Sequence, residues 1–378
     1  MNSPSDRCYG FVFLEIFSQE GGIQAYVKDV LRAYITLVER SPSPILTDIF
    51  LLRDAPDCQN PLDTGLIKFH YLKTLPPWRG RVKLALSLLV YLVKQRPQRM
   101  FCGHINLAPL VRFLCQPLGI PYTVLTYGKE VWEPLPQKQR EALQQAEAIW
   151  TISRYSGDRL CQSNNVDPNK VKILPCVVDG NKFTPGEKPA KLVEKYGLGN
   201  ARVLMTVARL WSGDRYKGVD VTIRALPKIL QSCPNVKYLV IGRGDDLPRL
   251  EQLAQELGVA QQVIFAGFVP TEHLIDHYRV ADAYIMPSQE GFGIVYLEAM
   301  ACGIPVLSGD ADGSADPLQD GTLGWRVPHR NPEAVAQGCL EILQSRDQRT
   351  QADWLRQQTL TEFDQGILGQ KLGQLLDF

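Results

Sequence analysis

Apolar residues fall along this chain into short unbroken runs separated by longer stretches in which they recur every three or four positions. In the first part the strand-like runs are Phe11 to Ile16, Thr47 to Leu52, Leu66 to Tyr71 and Tyr122 to Thr126, and the helix-like stretches Gly22 to Arg40 and Arg81 to Lys94. The alternation resumes with strands at Val203 to Val207, Val236 to Ile241, Val263 to Phe265 and Ala283 to Met286, interleaved with helices at Val219 to Leu230, Pro248 to Leu257, Glu272 to Val280 and about Phe292 to Cys302. Strands of this length alternating with helices predict βαβ units and parallel sheets. Between the two series, Pro175, Gly180, Pro185, Gly186 and Pro189 crowd a stretch with few core residues, which predicts a hinge. The expected fold is α/β, with two Rossmann-like doubly wound domains over 1–178 and 179–360. A ligand is expected between them, beyond the carboxyl ends of the strands.

One segment carries chemistry. Pro287 to Pro305 reads PSQEGFGIVYLEAMACGIP, with Glu290 at a strand-to-helix junction and Glu298 one turn after Ile294 on the helix. A helix start has unpaired N–H groups and the positive end of the macrodipole, so Gly291, Phe292, Gly293, Ile294 and Val295 can present amides to an anion. The Glu298 carboxylate could accept from vicinal hydroxyls such as those of a ribose, and Glu290 would face a sugar.

Three further stretches belong to the same series. Gly21 and Gly22 open the first helix and offer another amide-rich approach to a diphosphate, although a Gly-Gly pair alone is also a plain turn. Ala208-Arg209-Leu210 and Lys217-Gly218 supply two cations, which alone would read as surface charge. Gly242-Arg243-Gly244 ends a strand, and Phe265 to Val269 forms a loop after the next. In this order the segments resemble the retaining glycosyltransferases of the GT-B fold, the large E-x7-E class (group 1, family 4-like) that holds bacterial mannosyl-, glucosyl- and galactosyltransferases.

The resemblance implies roles. Arg209 and Lys217 hold the donor diphosphate and offset the charge on the leaving nucleotide. Glu290 holds sugar hydroxyls, Glu298 the ribose, and backbone near Gly242 and Val269 the base. It also implies that a helix over 361–378 crosses back to the first domain, and that the two domains face a central cleft. With two cations and helix amides as the positive field, no metal is expected, and no other cofactor. In the acceptor-side loop, Thr126 to Trp132, Tyr127 stands where many members carry histidine. Its hydroxyl could hydrogen-bond a sugar but cannot serve as a base at neutral pH. Glu130 lies in the same loop. Ala208 replaces a usual glycine, and Gly309 to Asp316 lacks the usual glutamate pattern.

Composition bounds the picture. A chain of 378 residues, 45% hydrophobic, is long enough for two cores. Its net charge of +1 hides a window from Thr64 to Lys129 that has no Asp or Glu but contains Lys68, Lys73, Arg79, Arg81, Lys83, Lys94, Arg96, Arg99, Arg112 and Lys129. Within it, Trp78 and its basic neighbours lead into the apolar Leu84 to Val93, too short to span a bilayer. Two readings stand: a helix on an anionic membrane surface, or a core helix with a solvated basic end. No aromatic-basic motif supports nucleic acid. Nine cysteines without Cys-x-x-Cys spacing, five scattered histidines and no apolar leader fit a reduced cytoplasm, at most peripheral to the inner face of the membrane.

The expected activity is transfer of a hexose from a UDP- or GDP-sugar to a hydroxyl acceptor, lipid- or glycan-linked, in polysaccharide, glycolipid or cell-envelope glycan synthesis. The absence of an acid directly after Gly267 favours uridine, while Glu272 argues for guanosine. A sugar-nucleotide epimerase and a non-catalytic nucleotide-sugar or glycan-binding scaffold are the alternatives.

Overall fold

The structure is a computed structural model and describes residues 7–378. The chain divides into two compact units, Met1–Val177 with Gln365–Phe378, and Val178–Asp364.

The first unit is built on a seven-stranded, wholly parallel sheet of β1 (Arg7–Phe13), β2 (Ile45–Leu51), β3 (Lys68–Tyr71), β4 (Arg99–Cys102), β5 (Tyr122–Thr126), β6 (Ala148–Thr151) and β7 (Val171–Ile173), in the order β3-β2-β1-β4-β5-β6-β7. Its helices are α1 (Gly22–Arg40), α2 (Pro77–Gln95), α3 (Ala108–Cys115), α4 (Gln137–Gln144) and α5 (Arg154–Asn164). Val12, Leu84, Leu88, Met100, Val124 and Ile149 are buried in one apolar cluster.

The second unit repeats the plan with six parallel strands: β8 (Arg202–Val207), β9 (Val236–Ile241), β10 (Val263–Gly267), β11 (Ala283–Met286), β12 (Val306–Gly309) and β13 (Trp325–Val327), ordered β10-β9-β8-β11-β12-β13. Around them run α6 (Ala190–Lys195), α7 (Val219–Ser232), α8 (Leu247–Glu256), α9 (Leu274–Val280), α10 (Ile294–Ala301), α11 (Pro332–Gln344) and α12 (Ala352–Phe363). Strands buried on both faces read as continuous apolar runs, which is why β8, β9 and β11 were visible in the sequence. The last helix, α13 (Gln365–Leu376), leaves this unit and packs on α1 of the first.

In both sheets the strand order reverses once, between β1 and β4 and between β8 and β11. A doubly wound sheet opens a crevice at that point, beyond the carboxyl ends of its strands.

Several predicted edges move for local reasons. The first strand spans Arg7–Phe13 rather than Phe11 to Ile16. Ile16 is buried in the following loop, where the N–H groups of Ile16 and Ser18 donate to the buried Asp54 carboxylate at 2.6 and 2.8 Å. The second helix begins at Pro77, whose missing N–H is no loss in a first turn. The helix expected from Phe292 begins at Ile294, because Gly293 (φ 93°) is left-handed and caps it.

Candidate functional site

The second unit gathers its candidates at its reversal point. β8 and β11 are neighbours, with Leu204 opposite Ala283 and Met205 opposite Tyr284. Arg209 and Lys217 therefore follow one strand of the pair and Glu290 the other. The Lys217 Nζ donates to Glu290 Oε1 at 2.5 Å, although the two residues are 73 positions apart. Both side chains are largely buried, 20% and 14% exposed. Desolvation opposes the Lys217 charge, but Glu290, Tyr216 and Asp214 outweigh it and hold the ammonium's pKa above its ordinary value. The contact depends on Gly218 (φ 76°), where a Cβ would lie 2.5 Å from the Pro287 carbonyl oxygen. Two backbones thus approach more closely than any side chain allows. The Gln289 N–H donates to the Tyr216 carbonyl at 3.2 Å and ties the loops again.

Arg209 is more open. Its Nε donates to Asp214 at 2.5 Å, its guanidinium lies 5.3 Å from the Trp211 ring centroid, and two-thirds of its side chain is exposed (66%). Each candidate cation thus has its own carboxylate.

Glu290 is held from behind by a residue that the sequence did not single out. Its N–H donates to Asp312 Oδ2 at 2.6 Å, and the Gly313 N–H donates to the Glu290 carbonyl at 2.8 Å. The other Asp312 oxygen accepts from the Ser314 N–H at 3.0 Å and from its hydroxyl. Burial is the main cause that pushes the Asp312 carboxyl up to about 6, and the Glu290 charge adds to it. Asp312-Gly313-Ser314 carries the signal of a side chain turning back on its own backbone. Nothing in it points to Glu290, 22 positions away. Asp54, whose partners Ile16 and Ser18 lie 38 and 36 positions away, is missed for the same reason.

Among the amides, Glu290's own N–H is taken by Asp312, while Ile294 and Val295 open α10 as its first turn. The Phe292 ring is buried, 6.0 Å from Phe363. Glu298 lies partly buried on α10 and accepts from the Tyr278 hydroxyl at 2.7 Å, which fixes one of its oxygens.

Gly242 is required by the fold. Its N–H donates to the Gly267 carbonyl at 2.8 Å. A Cβ at Gly242 would lie 1.8 Å from the Ala208 carbonyl oxygen, and one at Gly244 1.9 Å from that of Leu210. Beyond Gly267, Phe268 is exposed beneath the Arg243 guanidinium, 4.7 Å from its ring centroid, and Val269 is half-buried.

The remaining candidates lie in the first unit. Gly21 and Gly22 precede and open α1, with nothing within 4 Å of a Cβ built on Gly22. Tyr127, after β5, is buried. Its hydroxyl donates to the Gly103 carbonyl at 2.7 Å. Glu130 accepts from the Tyr127 N–H at 2.5 Å and closes its own loop. Burial raises the Glu130 carboxyl pKa above its ordinary range, against the pull of backbone N–H groups.

Residues 201–345 match the family model described as glycosyl transferases group 1. A GDP-mannose-dependent alpha-(1-6)-phosphatidylinositol monomannoside mannosyltransferase of Mycolicibacterium smegmatis is 34% identical over 232 residues, so the match spans 58% of this chain and only 59% of that protein. A GDP-mannose-dependent monoacylated alpha-(1-6)-phosphatidylinositol monomannoside mannosyltransferase of Corynebacterium glutamicum is 29% identical over 371 residues, 94% of each. Among solved structures, HepE of Anabaena in complex with UDP superposes with a TM-score of 0.78 at 18% identity, covering 98% of this chain and 99% of that one. Residues 201–345 are thus similar to the group 1 glycosyltransferases, and the fold of the chain is that of its GT-B structural neighbours.

Proposed function

We propose that the protein is a glycosyltransferase that moves a hexose from a nucleotide-diphosphate sugar to a hydroxyl acceptor with retention of anomeric configuration and without a metal ion. The observation that carries this reading is the Lys217–Glu290 contact at the reversal point of the second sheet. It sets a cation suited to a diphosphate directly beside a carboxylate suited to sugar hydroxyls.

In this reading Lys217, with three N–H donors of which Glu290 takes one, gives the others to diphosphate oxygens. Arg209, two-thirds exposed, turns from Asp214 toward the same group. Both stabilise the charge that grows as the nucleotide departs. Glu290 accepts from sugar hydroxyls and Glu298 from the ribose. The amides at Gly291 to Val295, and at Gly21 and Gly22 in the first unit, add positive field. The acceptor hydroxyl attacks from the face that the nucleotide leaves, and a donor phosphate oxygen takes its proton.

The names of the relatives favour GDP-mannose as donor and a phosphatidylinositol-linked mannoside as acceptor, in glycolipid synthesis. They speak for guanosine and against the lean toward uridine drawn from the loop after Gly267. A lipid-linked acceptor would also bring the protein to a membrane surface, on its cytoplasmic side.

Thermal unfolding with GDP, UDP and ADP, with and without magnesium, tests the donor site. A nucleotide at a hundred times its Kd adds about 2.7 kcal/mol, and the shift should vanish in Lys217→Ala. Transfer from GDP-mannose to a mannoside acceptor, with the product's anomeric configuration read by NMR, tests the reaction. An inverted product sinks the retaining mechanism. Binding of nucleotide without turnover on any acceptor leaves only a scaffold.

A further inference from the structure

We infer that Asp312 is a positioning residue for the donor sugar: its carboxylate, together with Gly313, clamps the Glu290 backbone at both of its polar groups and so aims the Glu290 side chain.

The inference rests on the proposed transfer, in which Glu290 accepts from sugar hydroxyls. Glu290 lies between β11, which ends at Met286, and α10, which starts at Ile294, and Gly291 and Gly293 follow it. It belongs to neither ladder of backbone hydrogen bonds, and glycine neighbours leave a chain many conformations. Two consecutive residues after β12 supply the fixation. Asp312 Oδ2 accepts from the Glu290 N–H at 2.6 Å, and the Gly313 N–H donates to the Glu290 carbonyl at 2.8 Å. With both groups fixed, so is the direction in which the side chain leaves the backbone, and it leads the carboxylate to Lys217.

Asp312 is itself held. Its Oδ1 accepts from the Ser314 N–H at 3.0 Å and from the Ser314 hydroxyl, and Ser314 Oγ lies 3.0 Å from Ser308 Oγ in β12. Asp312 and Ser314 are 1% and 0% exposed, which leaves no room for water to replace these contacts. The residue type follows from the geometry. Each Asp312 oxygen accepts from a backbone N–H, one of Glu290 and one of Ser314, and only an ionised carboxylate is an acceptor on both sides. A protonated acid or an asparagine gives up acceptor capacity on one side and loosens the clamp.

The clamp therefore answers to pH. Burial, with the Glu290 charge adding to it, holds the Asp312 carboxyl up at about 6 against the pull of the Ser314 hydroxyl and the two N–H groups. Around it stand Glu290 after β11, paired with Lys217, the Tyr296 hydroxyl on α10, and Asp310 after β12, 3.8 Å from His329 after β13. Transfer is lost as pH falls through about 6, because the proton loosens the clamp, whereas the same proton stabilises the fold. Activity and stability thus run in opposite directions over one pH interval.

The test is steady-state transfer by the whole protein from GDP-mannose to a mannoside acceptor across that interval, with GDP affinity measured by calorimetry. Asp312→Asn should lower kcat about tenfold and leave the Kd for GDP within about twofold, since Glu290 meets the sugar and not the nucleotide. The acid limb of kcat in the parent should disappear in this variant. Ser314→Ala removes a hydrogen bond that holds the Asp312 pKa down, so it should move the limb to higher pH. Amide exchange at Glu290, read without substrate, should be faster in Asp312→Asn than in the parent. An unchanged kcat in Asp312→Asn overturns the inference. So does an acid limb that stays in that variant, which then belongs to another group such as His329. Should Asp312→Asn fail to fold, a limb unmoved in Ser314→Ala overturns it alone. Exchange needs no sugar, so if the parent transfers none, the proposed reaction falls while exchange still decides whether Asp312 fixes Glu290.

Discussion

Gly22, at the start of α1 in the first unit, has open space where a Cβ would go, whereas at Gly242 in the second a Cβ would lie 1.8 Å from the Ala208 carbonyl oxygen. Both stand near the point where the strand order of a parallel sheet reverses, and both match glycines of the same family pattern. Only the second is demanded by the fold. A similar contrast runs through the charged residues. In the second unit Lys217, Glu290 and Asp312 form a chain of contacts linking the ends of β8, β11 and β12, while in the first unit Glu130 accepts from backbone N–H groups of its own loop, Tyr127's among them. A residue that a family pattern marks as ligand-binding can be one that the backbone itself requires, and its substitution then reports folding before it reports function.

Four substitutions sharpen or break this contrast. The largest effect is expected from Lys217→Met, which should slow sugar transfer about a hundred- to a thousandfold. It also leaves Glu290 largely buried without its cation, a cost of about 2 kcal/mol in urea unfolding. The double variant Lys217→Met with Glu290→Met should regain that stability and none of the activity. If the single variant loses stability and transfers sugar at the normal rate, the pair belongs to the fold alone.

Next comes Gly242→Ala, expected to destabilise the second unit by about 3 kcal/mol, since a carbonyl oxygen and not a movable side chain blocks the new methyl. A smaller effect is expected from Asp312→Asn and depends on pH. Because Asp312 is held up at about 6, against 3.8 in an unfolded chain, the native state retains a proton that the unfolded state has lost between these values. Stability therefore falls as pH rises from about 4 through about 6, by at most about 3 kcal/mol. Thermal unfolding of both proteins across that range should show a slope in the parent that is reduced in Asp312→Asn. The smallest change is expected from Gly22→Ala, within about 0.5 kcal/mol in stability. Its added methyl should nonetheless lower sugar transfer about tenfold if a diphosphate approaches the start of α1. Equal activity would remove Gly22 from the site.

What the sequence revealed follows from the same physics. Parallel strands covered on both faces are apolar throughout, so β8, β9 and β11 could be found without knowing their neighbours. The boundaries could not, because Ile16 is as apolar as the strand before it and is buried in a loop held by Asp54. Arg209, Lys217 and Glu290 could be named from the family order, but their contacts could not, since no local pattern joins Lys217 to a carboxylate 73 positions away. Asp312 was hidden for the same reason, as its partner lies beyond the reach of any turn motif. The helix from Arg81 to Lys94 could be read either as a core helix or as a surface one. Periodicity does not say which apolar face the core takes, and in α2 the core takes one and leaves the other exposed.

The path of the chain through the two units bears on how the protein is made. The chain leaves the first unit after Val177 and returns to it only at Gln365, where α13 covers α1 and Phe378 stacks on Tyr9 of the first strand at 6.4 Å. On a ribosome, all seven strands of the first sheet emerge before the second unit, but the helix that covers α1 emerges only after it. The second unit is continuous in sequence and has all its residues before then. The first unit must wait with an uncovered apolar helix face while the second is translated, an interval in which a holding chaperone would have its clearest purpose.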